Sequence, residues 1–451
     1  VSTLEDLVAA RLQMAMSLGW HIVVACLGIG FPALTLLAQG RAVRTGEREW
    51  SLLARRWAKA LAVVFAVGAV SGTILSFELG VLWPGLMGTY GEVIGLPFAI
   101  EGIAFFIEAI FLGIYLYGWG RFPPRVHLFT GIPLVLAGVG SAFFVVTANA
   151  WMQQPAGFRL AGGRVVDASA WRAMFNRATP YMTVHMILAA FMVSGFLISA
   201  VYAAALLRGR RDVYTRRAFA LSFAVAAIVT PVQIGVGDWA AHSVAHQQPI
   251  KLAAMEGVFR TERGAPLRLG GVVADEELRY AIEVPRGLSL LAYWDSEATV
   301  MGLQEVPEQR RPPVGILHLA FDIMVGVGFA LLGLAVWFAI VTGRKRRLPS
   351  SPWFYRSAVL AGPAAVLALE AGWLVTEVGR QPWVVFGHQL TAEAVSPAPG
   401  LRFGFYGLVL VYLLLTLGLG YVLSRLARSP LEGPDEPQRR VSDYRVVRGP
   451  R

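Results

Sequence analysis

Nine predominantly apolar stretches recur along this chain, near residues 13–38, 58–82, 92–118, 126–150, 179–207, 216–236, 314–342, 356–377 and 402–425. Each reaches or exceeds the roughly 20 residues a helix needs to cross a hydrocarbon core. Charged residues fall mostly between them. The pattern predicts an all-α, polytopic membrane protein with nine transmembrane helices. Helices 1–6 occupy 1–236, an extramembrane loop 237–312, helices 7–9 residues 313–428, and a tail 429–451. The first stretch follows the acidic Leu4-Glu5-Asp6 and has neither a basic leader nor a small-residue cleavage site, so it reads as a retained helix rather than a signal peptide. The loop mixes Lys251, Glu256, Arg260, Asp275 and Glu277 with Tyr293 and Trp294, as expected of a partly folded surface segment. The Pro- and Arg-rich tail reads as a mobile extension.

Composition agrees: 56% of the 451 residues are hydrophobic and only 15% charged, which excludes an ordinary soluble enzyme core. The net charge of +11 would suit a nucleic-acid partner, but its distribution points elsewhere. Basic residues concentrate in alternate loops: Arg41, Arg44 and Arg48 after helix 1, Arg208, Arg210 and Arg211 after helix 5, and Arg344 to Arg347 after helix 7. Cytoplasmic loops carry such an excess, which places the N-terminus outside and the C-terminus inside, with the lipid bilayer and not nucleic acid as the partner. The loop between helices 4 and 5 departs from this rule, with Arg159, Arg164, Arg172 and Arg177 on the outer side. The single cysteine, Cys26, lies within helix 1, so an intrachain disulfide, a thiolate cluster and covalent CxxCH haem attachment are excluded. A metal would have to rely on nitrogen, oxygen or thioether.

Donors of that kind do occur within the apolar spans. With helices 1, 3, 5 and 7 running inward, His21, Glu101, His185 and Met324 lie roughly 9 to 17 Å below the outer helix ends, and helix 8 delivers Glu377 to the same side. A charged carboxylate at the bilayer centre costs at least about 2.5 kcal/mol, so Glu101 and Glu377 call for a compensating partner: haem iron, a proton path or an ion pair. Glu101 and Glu108, seven residues apart, share a helix face with about 10 Å between them, which suits a proton relay as well as a structural ion pair. Imidazole and thioether together suit a low-spin haem iron, although a lone histidine or methionine in such a helix is more often simple packing. Outside the spans, Asp238, Trp239, His242 and His246 precede Lys251 and Glu256, a cation and carboxylate able to hold and deprotonate a quinol hydroxyl or to form a solvated salt bridge.

Several motifs, spread over about residues 5 to 425, resemble subunit I of the cytochrome bd quinol oxidase family. They are Gly19-Trp20-His21, Ile100-Glu101-Gly102, Phe105-Phe106-Ile107-Glu108 and Asn149-Ala150-Trp151-Met152-Gln153, then Thr183-Val184-His185, Lys251 through Glu256 and Met324-Val325-Gly326, and lastly Gly372-Trp373 through Glu377 to Gly379-Arg380-Gln381-Pro382-Trp383. The resemblance implies a haem-containing quinol:dioxygen oxidoreductase that oxidises quinol at the outer face, reduces dioxygen to water and builds a proton motive force without pumping. It implies His185 and Met324 as ligands of the low-spin haem b558. His21 and Glu377 would be proximal ligands of two high-spin haems, one b595 and the other haem d or a third haem b, in either order. Trp373 and Arg380 would border the cofactors, Glu101, Glu108 and Ser141 would serve proton delivery, and Lys251 and Glu256 the quinol. It further implies a second membrane subunit, with or without a small accessory subunit, and a bacterial or archaeal cell (inner) membrane. The loop is short for the family, and Asp322 stands where long-loop members carry an arginine. Two rival readings stand beside this one: a carboxylate-coupled membrane transporter, which needs no haem, and a di-haem b electron-transfer protein without oxygen chemistry, which predicts bis-histidine sites.

Overall fold

In the computed structural model, residues 4–429 are described; nearly all of the tail lies outside the described residues. Nine long helices form: α1 (Leu4–Thr45), α2 (Arg48–Leu82), α3 (Pro84–Tyr117), α4 (Pro124–Gln153), α5 (Thr179–Leu207), α6 (Val213–Gln247), α7 (Val314–Lys345), α8 (Pro352–Val378) and α9 (Leu401–Arg428). Among the described residues, these nine are long and apolar enough to cross a membrane. Most outrun the apolar stretch that predicts them. The longest extension at a single end is in α6, which continues from 236 to Gln247 through alanine-rich sequence and stops before Pro249. Proline also separates α2 from α3: Pro84 restricts Trp83 and then occupies the first turn of α3, where its missing N–H goes unneeded.

The helices pack as two four-helix units, α1–α4 and α5–α8, joined chiefly where α5 lies against α1 and α4; α9 stands outside, against α1 and α2. Small residues permit the close approaches. A Cβ at Gly195 would fall 2.8 Å from the Ala226 side chain on α6, and one at Gly362 would fall 2.8 Å from Ala200 on α5. The join is pinned by polar bonds, with the Ser194 hydroxyl donating to the Cys26 carbonyl at 2.8 Å and the Trp57 indole donating to the Tyr202 hydroxyl at 2.8 Å. Away from the loop, Phe196, Phe219, Phe223, Phe338 and Phe354 interlock as an aromatic core of α5–α8. Phe77, Phe106, Leu136, Ile228 and Leu410 remain exposed, as side chains facing lipid must.

The 248–313 segment is folded and caps one end of the bundle, here termed the loop end. A short helix, Pro249–Glu256, stops at Gly257, whose positive φ of 64° suits glycine. Antiparallel pairs follow: Leu267–Leu269 with Ile282–Val284, Val272–Ala274 with Glu277–Arg279, and Glu262–Arg263 with Thr299–Val300. Leu252, Met255, Leu288 and Leu303 bury against Leu317 of α7 and Val375 of α8, which fixes the short helix over the bundle.

Candidate functional site

His185 projects from α5 towards α6. Its Nε2 lies 3.2 Å from the Gln233 amide, its Nδ1 is buried without a partner, and a Cβ at Gly237 would fall 3.5 Å from its ring. Met324 projects from α7 onto α8, with its sulfur 3.0 Å from where a Cβ at Gly372 would sit. Both donors are therefore met by glycine; the Gln233 amide can only donate, so Nε2 accepts from it and the proton sits on the partnerless Nδ1. An imidazole and a thioether are the donors that would suit a haem iron, since a porphyrin brings four ligands of its own and would need few from the protein. Among the described residues, no group of three or more His, Cys, Asp or Glu converges as a bare metal ion would require.

His21 is placed differently. Its Nδ1 lies 2.8 Å from the Ser71 hydroxyl on α2, and that hydroxyl also lies 3.0 Å from the Gly68 carbonyl and 3.2 Å from the Val67 carbonyl. A hydroxyl has one hydrogen, which goes to a carbonyl, so Ser71 accepts from the imidazole. The proton then sits on Nδ1 and leaves the Nε2 lone pair for a ligand. Gly72 supplies the space: a Cβ there would lie 3.2 Å from the ring.

The carboxylates are just as specifically placed. Glu377 pairs with Arg380 and accepts from the Asn149 amide of α4; it is anchored rather than reaching freely for water. Arg380, only 4% exposed, donates to the Val384 carbonyl at 2.9 Å and keeps its Nε buried without a partner. Trp373 rests against Gly19 of α1, where a Cβ would fall 3.8 Å from the indole. Between α3 and α4, the Ser141 hydroxyl donates to Glu101 at 3.1 Å, while Glu108 faces Gly138. Ser141 thus serves Glu101 directly. Two further intramembrane carboxylates, Glu78 and Glu370, carry unpartnered buried oxygens. The rule that picks out Glu101, a carboxylate inside an apolar span, would have found both. Ser71 offers no such signal, because a serine within a helix is commonplace.

At the loop end, Lys251 and Glu256 are both buried, and no ion pair joins them. Five residues apart on a helix, they point in different directions. The Lys251 ammonium donates to Gln153 Oε1 at 3.3 Å and to the Thr376 carbonyl at 3.4 Å. Burial pushes it down to about 7, with Glu377 opposing and Arg380 reinforcing the shift. Burial pushes Glu256 up to about 8, reinforced by Asp322 and opposed by Arg268. Asp322 itself accepts from the Gly270 backbone N–H at 2.7 Å and so ties α7 to the loop. Nearby, His242 stacks on Trp294 with ring centres 5.1 Å apart, and His246 meets Tyr293 edge-on at 5.3 Å.

Comparison with known proteins is consistent along the whole chain. The family model described as cytochrome bd terminal oxidase subunit I matches residues 9–431. The putative cytochrome bd menaquinol oxidase subunit I of Bacillus subtilis (strain 168) is 34% identical over 431 residues, covering 93% of this chain and 96% of that protein. Cytochrome bd-II ubiquinol oxidase subunit 1 of Escherichia coli (strain K12) is 28% identical over 494 residues, covering 93% and 96%. A solved structure of bd oxidase from Geobacillus thermodenitrificans superposes with a TM-score of 0.90 at 37% identity, covering 95% of this chain and 100% of that one.

Proposed function

From the premise that the chain belongs to the cytochrome bd terminal oxidase subunit I family, and is a membrane-embedded quinol oxidase subunit, we propose how its residues divide the work. His185 and Met324 hold the low-spin haem b558. His21 and Glu377 hold the two high-spin haems, b595 and either haem d or a third haem b. Trp373 would border these groups, and the buried, unpartnered Nε of Arg380 would be a donor available to them. Bound haem supplies one-electron transfer and the place where dioxygen is reduced.

The chain's own residues manage the protons. Oxidation of one quinol to quinone releases two electrons and two protons, so two quinols supply the four electrons that, with four protons, convert one dioxygen to two waters. Lys251, neutral above about pH 7, accepts a hydroxyl proton from quinol, and Glu256, ionised above about pH 8, accepts another. Glu108 and then Glu101, oriented by Ser141, pass protons along α3 from the side opposite the loop to the reduction site. Release on the loop side and uptake from the opposite side build a proton motive force without pumping, with the N-terminus on the outer face of a bacterial or archaeal inner membrane. A second membrane subunit, with or without a small accessory subunit, completes the enzyme. Family membership sets aside the transporter and di-haem readings.

The observation that carries this reading is that an imidazole and a thioether, His185 and Met324, each face a glycine within one helical unit. A reduced-minus-oxidised optical spectrum of the purified complex, with pyridine haemochrome analysis, tests it: one low-spin and two high-spin haems per chain are expected, and absence of a low-spin signal contradicts it.

A further inference from the structure

Three side chains outside this division of labour converge where α1, α2 and α9 meet. Ser17 of α1, Glu78 of α2 and Tyr412 of α9 are 0%, 8% and 3% exposed. Ser17 faces both the Glu78 carboxyl and the Tyr412 hydroxyl. Even so, the Ser17 hydroxyl, both Glu78 oxygens and the Tyr412 hydroxyl are buried without a close hydrogen-bond partner. Four such atoms from three helices within a membrane span are costly unless something satisfies them. A carboxyl group and two hydroxyls offer the two to four polar contacts that an internal water molecule makes.

The cluster also lies on a continuous line. Gln13, Ser17 and His21 follow one another at four-residue spacing along one face of α1. On α2, Ser71, which holds the His21 ring, and Glu78 share a face seven residues apart. At the loop end Gln13 donates to the Leu401 carbonyl at 2.7 Å, where α9 begins. Trp20 closes the lipid side: its indole donates to Thr416 at 2.8 Å, and its ring lies 5.1 Å from that of Tyr412. A polar seam thus descends from the loop end to His21, on a different helix pair from the Glu101–Glu108 line.

We propose that Ser17, Glu78 and Tyr412 form a water-binding site in which the Glu78 carboxyl exchanges a proton with the bound water during turnover. The exchange balances as carboxylate plus hydronium giving carboxylic acid plus water. The seam from Gln13 to His21 is then a second aqueous branch of the enzyme, and its coupling to turnover rests on the assignment of a haem to His21.

Redox-difference infrared spectroscopy of the intact oxidase complex tests this directly. A protonated-carboxyl stretch that moves to lower frequency in D2O is expected, lost in Glu78→Gln and shifted but retained in Ser17→Ala and Tyr412→Phe. A carboxyl region unchanged in Glu78→Gln would overturn the proposal, as would a Glu78 band indifferent to D2O. Should Glu78→Gln not assemble, the two hydroxyl variants carry the test, and unshifted bands in both would overturn it. The haem content of His21→Ala tests the His21 assignment separately, so failure of that assignment and failure of the water site give different results.

Discussion

The two four-helix units handle polarity in opposite ways. In α5–α8 the candidate ligands His185 and Met324 are each met by glycine, and Met324 packs in a cluster with Leu317, Ile323 and Val375. In α1–α4 polar groups come in connected lines: Glu101 with Ser141, His21 with Ser71, and, towards the opposite end from the loop, Tyr115 and His127 bonded through Gln39. A region that must seat a flat, rigid group gains from small side chains at the point of contact. A region that must move protons needs titratable groups within one or two hydrogen bonds of each other. On this account α5–α8 is built for electrons, α1–α4 lines up proton-bearing groups beside the haem proposed at His21, and α8 carries Glu377 and Trp373 to the seam between them.

The largest effect is expected where the division is sharpest. Glu377→Gln keeps the shape but can accept from only one of Arg380 and Asn149, and it removes the anionic donor. It should abolish or shift one high-spin haem and slow oxygen reduction by about a hundredfold or more, while the low-spin spectrum stays intact. CO-difference spectra with haem content per protein provide the check; three haems with an unaltered high-spin signal would leave Glu377 a structural or proton-path residue.

Next in size is the quinol site. Lys251→Ala should lower quinol oxidation by about a hundredfold, the loss typical of a missing general base, while an artificial donor still drives oxygen reduction. Equal loss with both donors would place Lys251 elsewhere. Burial favours the neutral amine, so Lys251 is protonated below about pH 7, whereas Glu256 is protonated below about pH 8. Quinol turnover should therefore rise with pH between about 6 and 9. Lys251→Met should remove the limb near 7, and Glu256→Gln the limb near 8; a flat parent profile would contradict both assignments.

The smallest effect concerns Ser71, whose hydroxyl holds the His21 ring. Ser71→Ala removes the acceptor for the Nδ1 proton, and activity should fall by about tenfold, as for other residues that orient a ligand. The spectrum and midpoint potential of the His21 haem should shift while its content is retained, and Ser71→Thr should restore both. An unchanged potential in Ser71→Ala would mean that the hydroxyl is only packing.

How much of this could be read from sequence differs by element. The nine spans follow from hydropathy alone, because about 20 apolar residues in a row have few other uses. Their ends do not: α1 begins at Leu4 and α6 runs to Gln247, where polar and alanine-rich turns continue a helix beyond the lipid core. The hairpins of the loop were invisible, since strands of two or three residues have no measurable period. Candidate ligands were legible as ionisable or thioether groups inside apolar spans, but their neighbours were not, because contacts such as Asn149 to Glu377 join residues 228 positions apart. The divergence of Lys251 and Glu256 was implicit in helical geometry, since five residues turn a side chain well away from its starting face.

The central claim is that α5–α8 holds its own haem through His185 and Met324, independently of the seam at His21 and Glu377. Met324→Leu tests it most directly, since the exchange nearly conserves volume and should cost less than about 1.5 kcal/mol in stability. In a reduced-minus-oxidised spectrum with redox titration, the account predicts that the low-spin α-band is lost or converted to a five-coordinate form while the high-spin signals persist. An unchanged low-spin band and midpoint potential would contradict it.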